Sequence, residues 1–157
     1  MGNDISTNGF MDFSVFPIKE PLHILKKCVG SNQKKLLVVF NQKNETPERV
    51  EFLKKILAAA KFDMDKDILL LRLTDEEAFS FIVTRTKAIN HFEQGEIDNL
   101  LVFGFAPKYF GLNLDIQKYQ PAHFYKCGLL FADSLAILEN DKGLKGMLWK
   151  AMQEVFF

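Results

Sequence analysis

The sequence has little cysteine and no long hydrophobic run, and these shortages exclude several classes of protein. Its two cysteines, Cys28 and Cys127, lie far apart and form no closely spaced metal motif, so we expect reduced thiols that are buried or half buried, and no bound metal. No stretch approaches the ~20 apolar residues that span a bilayer. The first ten residues also lack the basic start and apolar run of a secretory signal. We therefore expect a cytoplasmic protein that does not enter a membrane.

An excess of either charge is also absent. Twenty Lys and Arg residues balance twenty Asp and Glu residues, so no global field draws the chain to a polyanion, and strong direct nucleic-acid binding is not expected. Ser80 and Ser134 lack the glycine-flanked elbow that exposes a catalytic nucleophile. We expect no independent catalysis and no cofactor. The sixteen phenylalanines indicate an aromatic core, or a surface that another protein or a second copy in a homodimer covers.

The first 35 residues form an N-terminal arm that differs from the rest of the chain. Phe10, Phe13 and Phe16 recur at every third position before Pro17 and Ile18, and the prolines prevent a long helix. Two interpretations of this apolar segment remain open. It packs across its own domain, or it is a linear docking segment that binds another protein.

From residue 36 onward the pattern predicts one α/β domain, residues 36–157. The sheet is mostly parallel, with three to four strands flanked by helices. A capping box formed by Thr74 and Glu77 is expected to begin the second helix of this domain, and Asp141 to cap the closing one. The predicted strands are 36–40, 68–73, 100–105 and 122–128, and the predicted helices are a short one after Pro21, then 47–61, one after residue 74, 134–138 and one after Asp141.

Ligands of open α/β sheets usually lie at the carboxyl ends of the strands. Asn41, Lys43 and Thr46 follow the first strand, and Lys108 and Tyr109 follow the third, so these five residues are the candidates for an anion or ligand pocket. The first loop has no glycine, which excludes the P-loop and the dinucleotide fingerprint. The competing interpretation is an ordinary loop capped by Thr46 and a turn shaped by proline. A small α/β enzyme or nucleotide-binding protein would use the pocket.

Four segments of this layout resemble the psi subunit of bacterial DNA polymerase III, a small accessory protein of the clamp loader. They are VFPIKEP at the end of the arm, LLVVFNQ in the first strand, ILLLRLT in the second, and the closing SLAILENDKGLKGMLWKAM with its LW pair and terminal helix. The likeness lies in their order and spacing as well as in the residues.

The resemblance implies a non-enzymatic connector. In that family the N-terminal arm binds the clamp-loader assembly, and the α/β domain contacts a second small subunit that reaches single-stranded DNA-binding protein. On this chain the segment from Phe10 to Ile18 would be the docking arm.

Overall fold

The computed structural model describes residues 18–92, 95–124 and 126–157. Within them a five-stranded sheet carries helices on both faces, which confirms the predicted α/β class. The elements are α1 (Pro21–Lys27), β1 (Leu36–Asn41), α2 (Pro47–Ala59), β2 (Ile68–Leu73), α3 (Phe81–Ala88), β3 (Asn99–Phe103), β4 (Ala122–Phe124), β5 (Cys127–Ala132), α4 (Leu135–Leu138) and α5 (Lys142–Phe156), with 3-10 turns at Gln42–Asn44 and Pro107–Phe110.

The strands lie in the order β2-β1-β3-β5-β4. The first four are parallel, and the short β4 pairs antiparallel with β5 at one edge. The mostly parallel sheet was predicted, and the observed number of strands is five. Because the inner strands are covered on both faces, they are continuous apolar runs, and every residue of β1 is buried.

Alternate residues of each strand point to opposite faces and build two cores. Leu37 and Val39 of β1 pack on the side of α1 and α3, whereas Leu36, Val38 and Phe40 pack on the side of α2, α4 and α5. Aromatic residues fill much of the first core, where the Phe79 and Phe110 rings meet edge to face at 5.3 Å between centroids. Many of the phenylalanines therefore belong to the interior.

The helix predicted to begin at the capping box begins later, so that prediction is wrong. Thr74 and Glu77 do bond reciprocally: the Glu77 carboxylate accepts from the Thr74 amide at 2.9 Å, and the Glu77 amide donates to the Thr74 carbonyl at 3.2 Å. The bonds close a turn instead. The Phe79 amide donates to the Tyr109 carbonyl at 3.0 Å, which holds the chain extended, and α3 starts after Ser80, whose hydroxyl accepts from the Val83 amide.

The prediction of a single strand at residues 122–128 is also wrong. The structure has two antiparallel strands there, β4 and β5. Phe124 of β4 faces Cys127 of β5 across a tight reversal in which Lys126 has a left-handed backbone with φ of 64°. β5 then continues through the apolar residues 128–132 and pairs with β3 in the interior of the sheet. A lysine in this conformation gives no turn signal in a sequence.

Residues 18–35, assigned above to the arm, contact the sheet and its loops. Ile24 and Leu25 of α1 are buried in the first core, and Val29 pairs with Leu70 of β2. Ile18 pairs with Ala78 but leaves 74% of its surface exposed. Phe10, Phe13, Phe16 and Pro17 lie outside the described residues. Within the described part of the chain, no helix has the length and hydropathy that crossing a bilayer requires.

Candidate functional site

A cleft of about 530 Å³ lies at the carboxyl ends of β1, β3 and β5. The chain passes from β1 outward to β2 and then returns to β3 on the other side of β1, so the strand order reverses between β1 and β3. Open α/β sheets bind ligands at such a switch point. The lining residues are Asn41, Lys43, Asn44, Gly104, Phe105, Ala106, Pro107, Ile116, Gln117, Lys118, Phe131, Ala132, Asp133, Ser134 and Ile137.

One side of the cleft is built around Asn41, the last residue of β1, which is 3% exposed. Its side-chain oxygen accepts from the Lys43 amide at 3.1 Å, and its amide nitrogen donates to Asp75. The Lys43 Nζ lies 2.6 Å from the other Asp75 oxygen. The hydrogen bond from Lys43 lowers the pKa of Asp75, and the bond from Asn41 adds to it. Lys43 is therefore already paired with Asp75, a carboxylate that does not itself line the cleft.

The opposite side of the cleft is built around Asp133, which follows β5. One of its oxygens lies 2.6 Å from Lys118 Nζ, and the other accepts from the Tyr119 hydroxyl at 2.7 Å. Burial alone would raise the pKa of Asp133, but the bonds from Lys118 and Tyr119 outweigh burial and the pKa is lowered. Burial and the bond to Asp133 raise the pKa of Tyr119 well above its ordinary value.

The floor between the two sides depends on Gly104, which has a φ of 85°. A Cβ there would lie 3.1 Å from the Ser134 Cβ and 3.3 Å from its Cα, so glycine allows the end of β3 to approach Ser134 closely. The Ser134 hydroxyl accepts from the Ile137 amide at 3.3 Å and caps α4. Ser134, which lines the cleft, thus has a structural role as a helix cap.

These groups suit binding better than proton transfer near neutral pH. The pKa values of Asp75 and Asp133 are lowered and that of Tyr119 is raised, so each pKa lies further from neutral pH than its ordinary value does. A general acid or base works best with a pKa near the working pH. The cleft therefore presents the ionised, paired carboxylate of Asp133 above an apolar floor that includes Phe105 and Phe131, whereas the Asp75 carboxylate and the Tyr119 phenol lie outside its lining.

The structure brings two of the five predicted pocket residues into the cleft, Asn41 and Lys43. The Thr46 hydroxyl instead accepts from the Arg49 amide at 3.1 Å and caps α2. Lys108 and Tyr109 do not line the cleft: Lys108 is exposed on the 3-10 turn, and the Tyr109 ring packs on Phe105 with 5.3 Å between centroids. Lys118 and Asp133 were not predicted from the sequence. Asp133 would have been found by recognising that β5 ends at residue 132, whereas Lys118 lies in the loop before β4 and has no such signal.

A second surface feature lies between α2 and α5 and is called here the helical groove. Its apolar walls are Phe52, Ile56 and Ala59 from α2 and Leu148, Trp149 and Met152 from α5, with Lys145 at one side. Trp149 belongs to the LW pair of the closing segment and is 38% exposed. Partly exposed tryptophan in an apolar depression is typical of surfaces that bind proteins.

Within residues 18–92, 95–124 and 126–157, no group of three or more histidine, cysteine, aspartate or glutamate side chains could hold a metal ion. No protein-family model matches the chain, and no curated protein is significantly similar to it in sequence.

Proposed function

We propose that the protein is a cytoplasmic, non-enzymatic accessory subunit of the clamp loader of the replicative DNA polymerase. In this role the N-terminal segment from Phe10 to Ile18 docks on clamp-loader subunits. The folded part of the chain contacts a second small accessory subunit and links the loader to other replication proteins.

The observation that carries this proposal is the position of the closing segment with its LW pair. Leu148 is 2% exposed and anchors α5 to the core, whereas its neighbour Trp149 reaches the surface in the helical groove. The closing segment, one of the four that resemble psi subunits, therefore supplies both a fold anchor and an apolar contact surface. Ile18, the last residue of the proposed docking segment, is 74% exposed, which supports a segment that is accessible to a partner.

Binding to purified clamp-loader subunits of the same organism tests the proposal. We expect the full chain to bind, and the variant Phe10→Ala/Phe13→Ala/Phe16→Ala to bind at least ~30-fold more weakly, because aromatic anchors dominate interface energies. The matched control, Asn3→Ala/Ser6→Ala/Asn8→Ala, changes three polar residues of the N-terminal arm that precede the docking segment, and it should bind as the full chain does.

Two results would contradict the proposal in different ways. Failure of the full chain to bind any clamp-loader subunit would rule out membership of that assembly. Equal binding by the phenylalanine variant and its control would retain membership but remove the role of the docking segment.

A small-molecule site is the second candidate function, because the cleft lies at the switch point of the sheet and its volume of about 530 Å³ suits a ligand. Nucleotides are the ligands to test, with the thermal unfolding of the protein as the readout. Under this candidate a mononucleotide raises the Tm, and Gly104→Val, whose side chain would enter the floor near Ser134, abolishes the rise. No change in Tm with any nucleotide would count against it.

A further inference from the structure

The loop that forms the β1 side of the cleft is held by two arginines. The Arg49 guanidinium donates to the Asn44 carbonyl at 3.2 Å and also pairs with Glu139, the residue that follows α4, at 2.9 Å. Arg72 of β2 donates to Glu45 at 2.8 Å and gives the same loop a second anchor. This wall of the cleft is therefore formed before any ligand arrives, as is usual for small-molecule sites.

The opposite wall is held by Tyr119. Its amide donates to the Phe131 carbonyl at 2.8 Å. Its hydroxyl donates to the Asp133 carboxylate at 2.7 Å and accepts from the Asp133 amide at 3.1 Å. Three hydrogen bonds therefore anchor the loop that carries Ile116 and Gln117, two residues of the cleft lining, to the end of β5.

The charges of the cleft lining are already compensated. The charged side chains of the lining are Lys43, Lys118 and Asp133. Lys118 pairs with Asp133 at 2.6 Å between the nitrogen and a carboxylate oxygen. Lys43 pairs at the same distance with Asp75, which lies outside the lining. A charged ligand of either sign would compete with a partner already in place, so its charge would gain little, and an uncharged ligand suits the cleft better.

The apolar part of the lining includes area that is still exposed to water. Phe105 and Phe131 are buried and close the floor, and Ile116 is half-buried. Ile137 lies on α4 and is 52% exposed, although it lines a concave site. A ring that enters the cleft would remove this apolar area from water, which is favourable.

Two side-chain amides on the opposite walls are available to a ligand. The Asn44 side chain forms no hydrogen bond with any described residue. Gln117 donates one N–H to Asp115 at 3.0 Å, and its Oε1 accepts none within the described part of the chain. A side-chain amide presents a donor and an acceptor next to each other, and such a pair matches the N6 and N7 edge of adenine.

We propose that the cleft binds an uncharged adenine nucleoside, whose ring covers Ile137 and whose base edge pairs with Asn44. The cleft volume of about 530 Å³ lies within the range of small-molecule sites. The inference rests on the second candidate function, in which the cleft is a ligand site, and narrows it to ligands whose phosphate adds no affinity. It is independent of the clamp-loader role.

Isothermal titration calorimetry of the full chain with adenosine, AMP and inosine tests the proposal. Inosine has an oxygen in place of the amino group of adenosine, so this edge of its base presents two acceptors, as guanine does, and cannot form the same donor-and-acceptor pair with an amide. We expect adenosine to bind and inosine to bind at least about fivefold more weakly. AMP should bind no more tightly than adenosine, because no unpaired lysine of the cleft lining awaits its phosphate.

Substitutions of the lining provide matched variants. Asn44→Ala should raise the Kd for adenosine at least about fivefold, because the pair with the base is lost. Gln42→Ala removes an amide from the same 3-10 turn at a residue that does not line the cleft, and should leave the Kd unchanged. Ile137→Ala should raise the Kd about threefold. Ile89→Ala, which shortens an isoleucine that is 56% exposed outside the cleft, should not raise it.

The outcomes separate the inference from the second candidate function. If none of the three compounds binds, the inference is overturned, and other mononucleotides then decide the second candidate function. If AMP binds more tightly than adenosine, the cleft remains a nucleotide site but the inference is wrong. Equal affinity for adenosine and inosine, or a Kd for adenosine that Asn44→Ala leaves unchanged, would also overturn it. Circular dichroism of each variant without ligand separates a lost site from a lost fold.

Discussion

The ion pair between Lys27 and Glu77 should couple α1 to the rest of the fold. Lys27 Nζ lies 2.9 and 2.7 Å from the two carboxylate oxygens of Glu77, and the side chains are 29% and 11% exposed. Glu77 also accepts from the Thr74 amide at 2.9 Å just after β2. A single carboxylate therefore holds both the short first helix and the turn that follows an edge strand.

The burial of the Lys27 and Glu77 pair determines how much the pair contributes to the free energy of unfolding. Exposed ion pairs contribute about 0 to 1 kcal/mol, whereas removing one partner of a fully buried pair costs about 3 to 5 kcal/mol. Glu77→Gln leaves an acceptor for Thr74 but removes the charge, so we expect a loss of about 2 kcal/mol in the free energy of unfolding. Lys27→Met should cost about 1 kcal/mol, and the double variant about 1 kcal/mol less than the sum of the two.

The coupling should disappear in acid. Burial alone would raise the pKa of Glu77, but the hydrogen bonds from Lys27 and Thr74 outweigh burial, so the folded-state pKa lies below its ordinary value. A carboxylate with a lowered folded-state pKa stabilises the fold above its unfolded pKa of about 4.3. That stabilisation is lost as the pH falls from there through the folded-state pKa.

Urea unfolding is followed by circular dichroism for the unsubstituted protein, the two single variants and the double variant. It measures the coupling free energy between Lys27 and Glu77 at neutral and at acid pH. The matched control is the same cycle for Lys35→Met and Glu96→Gln, whose ion pair at 3.2 Å has side chains 34% and 56% exposed and should couple by less than about 0.5 kcal/mol. If the Lys27 and Glu77 cycle at neutral pH matched this control, or persisted unchanged in acid, the role assigned to the pair would be refuted.

Three further predictions concern the backbone at two glycines, a helix cap and one cysteine. Gly30→Ala should destabilise the protein by more than about 2 kcal/mol in urea unfolding, because φ is 126° and the new Cβ would lie 2.2 Å from the Ile68 carbonyl oxygen. Gly146→Ala, where a Cβ meets nothing within 4 Å, should instead stabilise by up to about 1 kcal/mol. Asp141→Ala should cost about 1 kcal/mol by removing the bond that the Leu144 amide donates, and Asp141→Asn should cost much less; equal losses would show that the cap is unimportant. Burial raises the pKa of Cys28 to about 12, so its labelling by a disulfide reagent at neutral pH should be roughly a hundredfold slower than in urea, and rapid labelling of the folded protein would contradict the burial.

Elements with local signals could be predicted from the sequence. β2 was predicted at residues 68–73, where it lies, because a run of apolar residues is bounded by polar ones. α2 and α5 begin after Thr46 and Asp141, whose side chains accept from Arg49 and Leu144 as their residue types predict. In each case a few neighbouring residues contain the whole physical cause.

Features that depend on distant residues could not be predicted in this way. The turn at Thr74 and Glu77 has the residues of a helix start, but two buried phenylalanines on either side of Ser80 fix the chain extended there. β5 was missed because its hairpin with β4 reverses at Lys126. Without β5, the carboxyl end that places Asp133 in the cleft could not be located either, so half of the candidate site was lost with one strand.

The cleft and the helical groove differ in where their charges are neutralised. In the cleft both lysines already pair with carboxylates at 2.6 Å, so an anionic ligand would have to displace Asp75 or Asp133 and leave an acid with a lowered pKa unpaired. In the helical groove Lys145 is the charged residue of the lining, and it forms no ion pair within the described residues. An anionic ligand is therefore disfavoured in the cleft, because it must break an existing ion pair, although the geometry of the sheet draws attention to the strand ends.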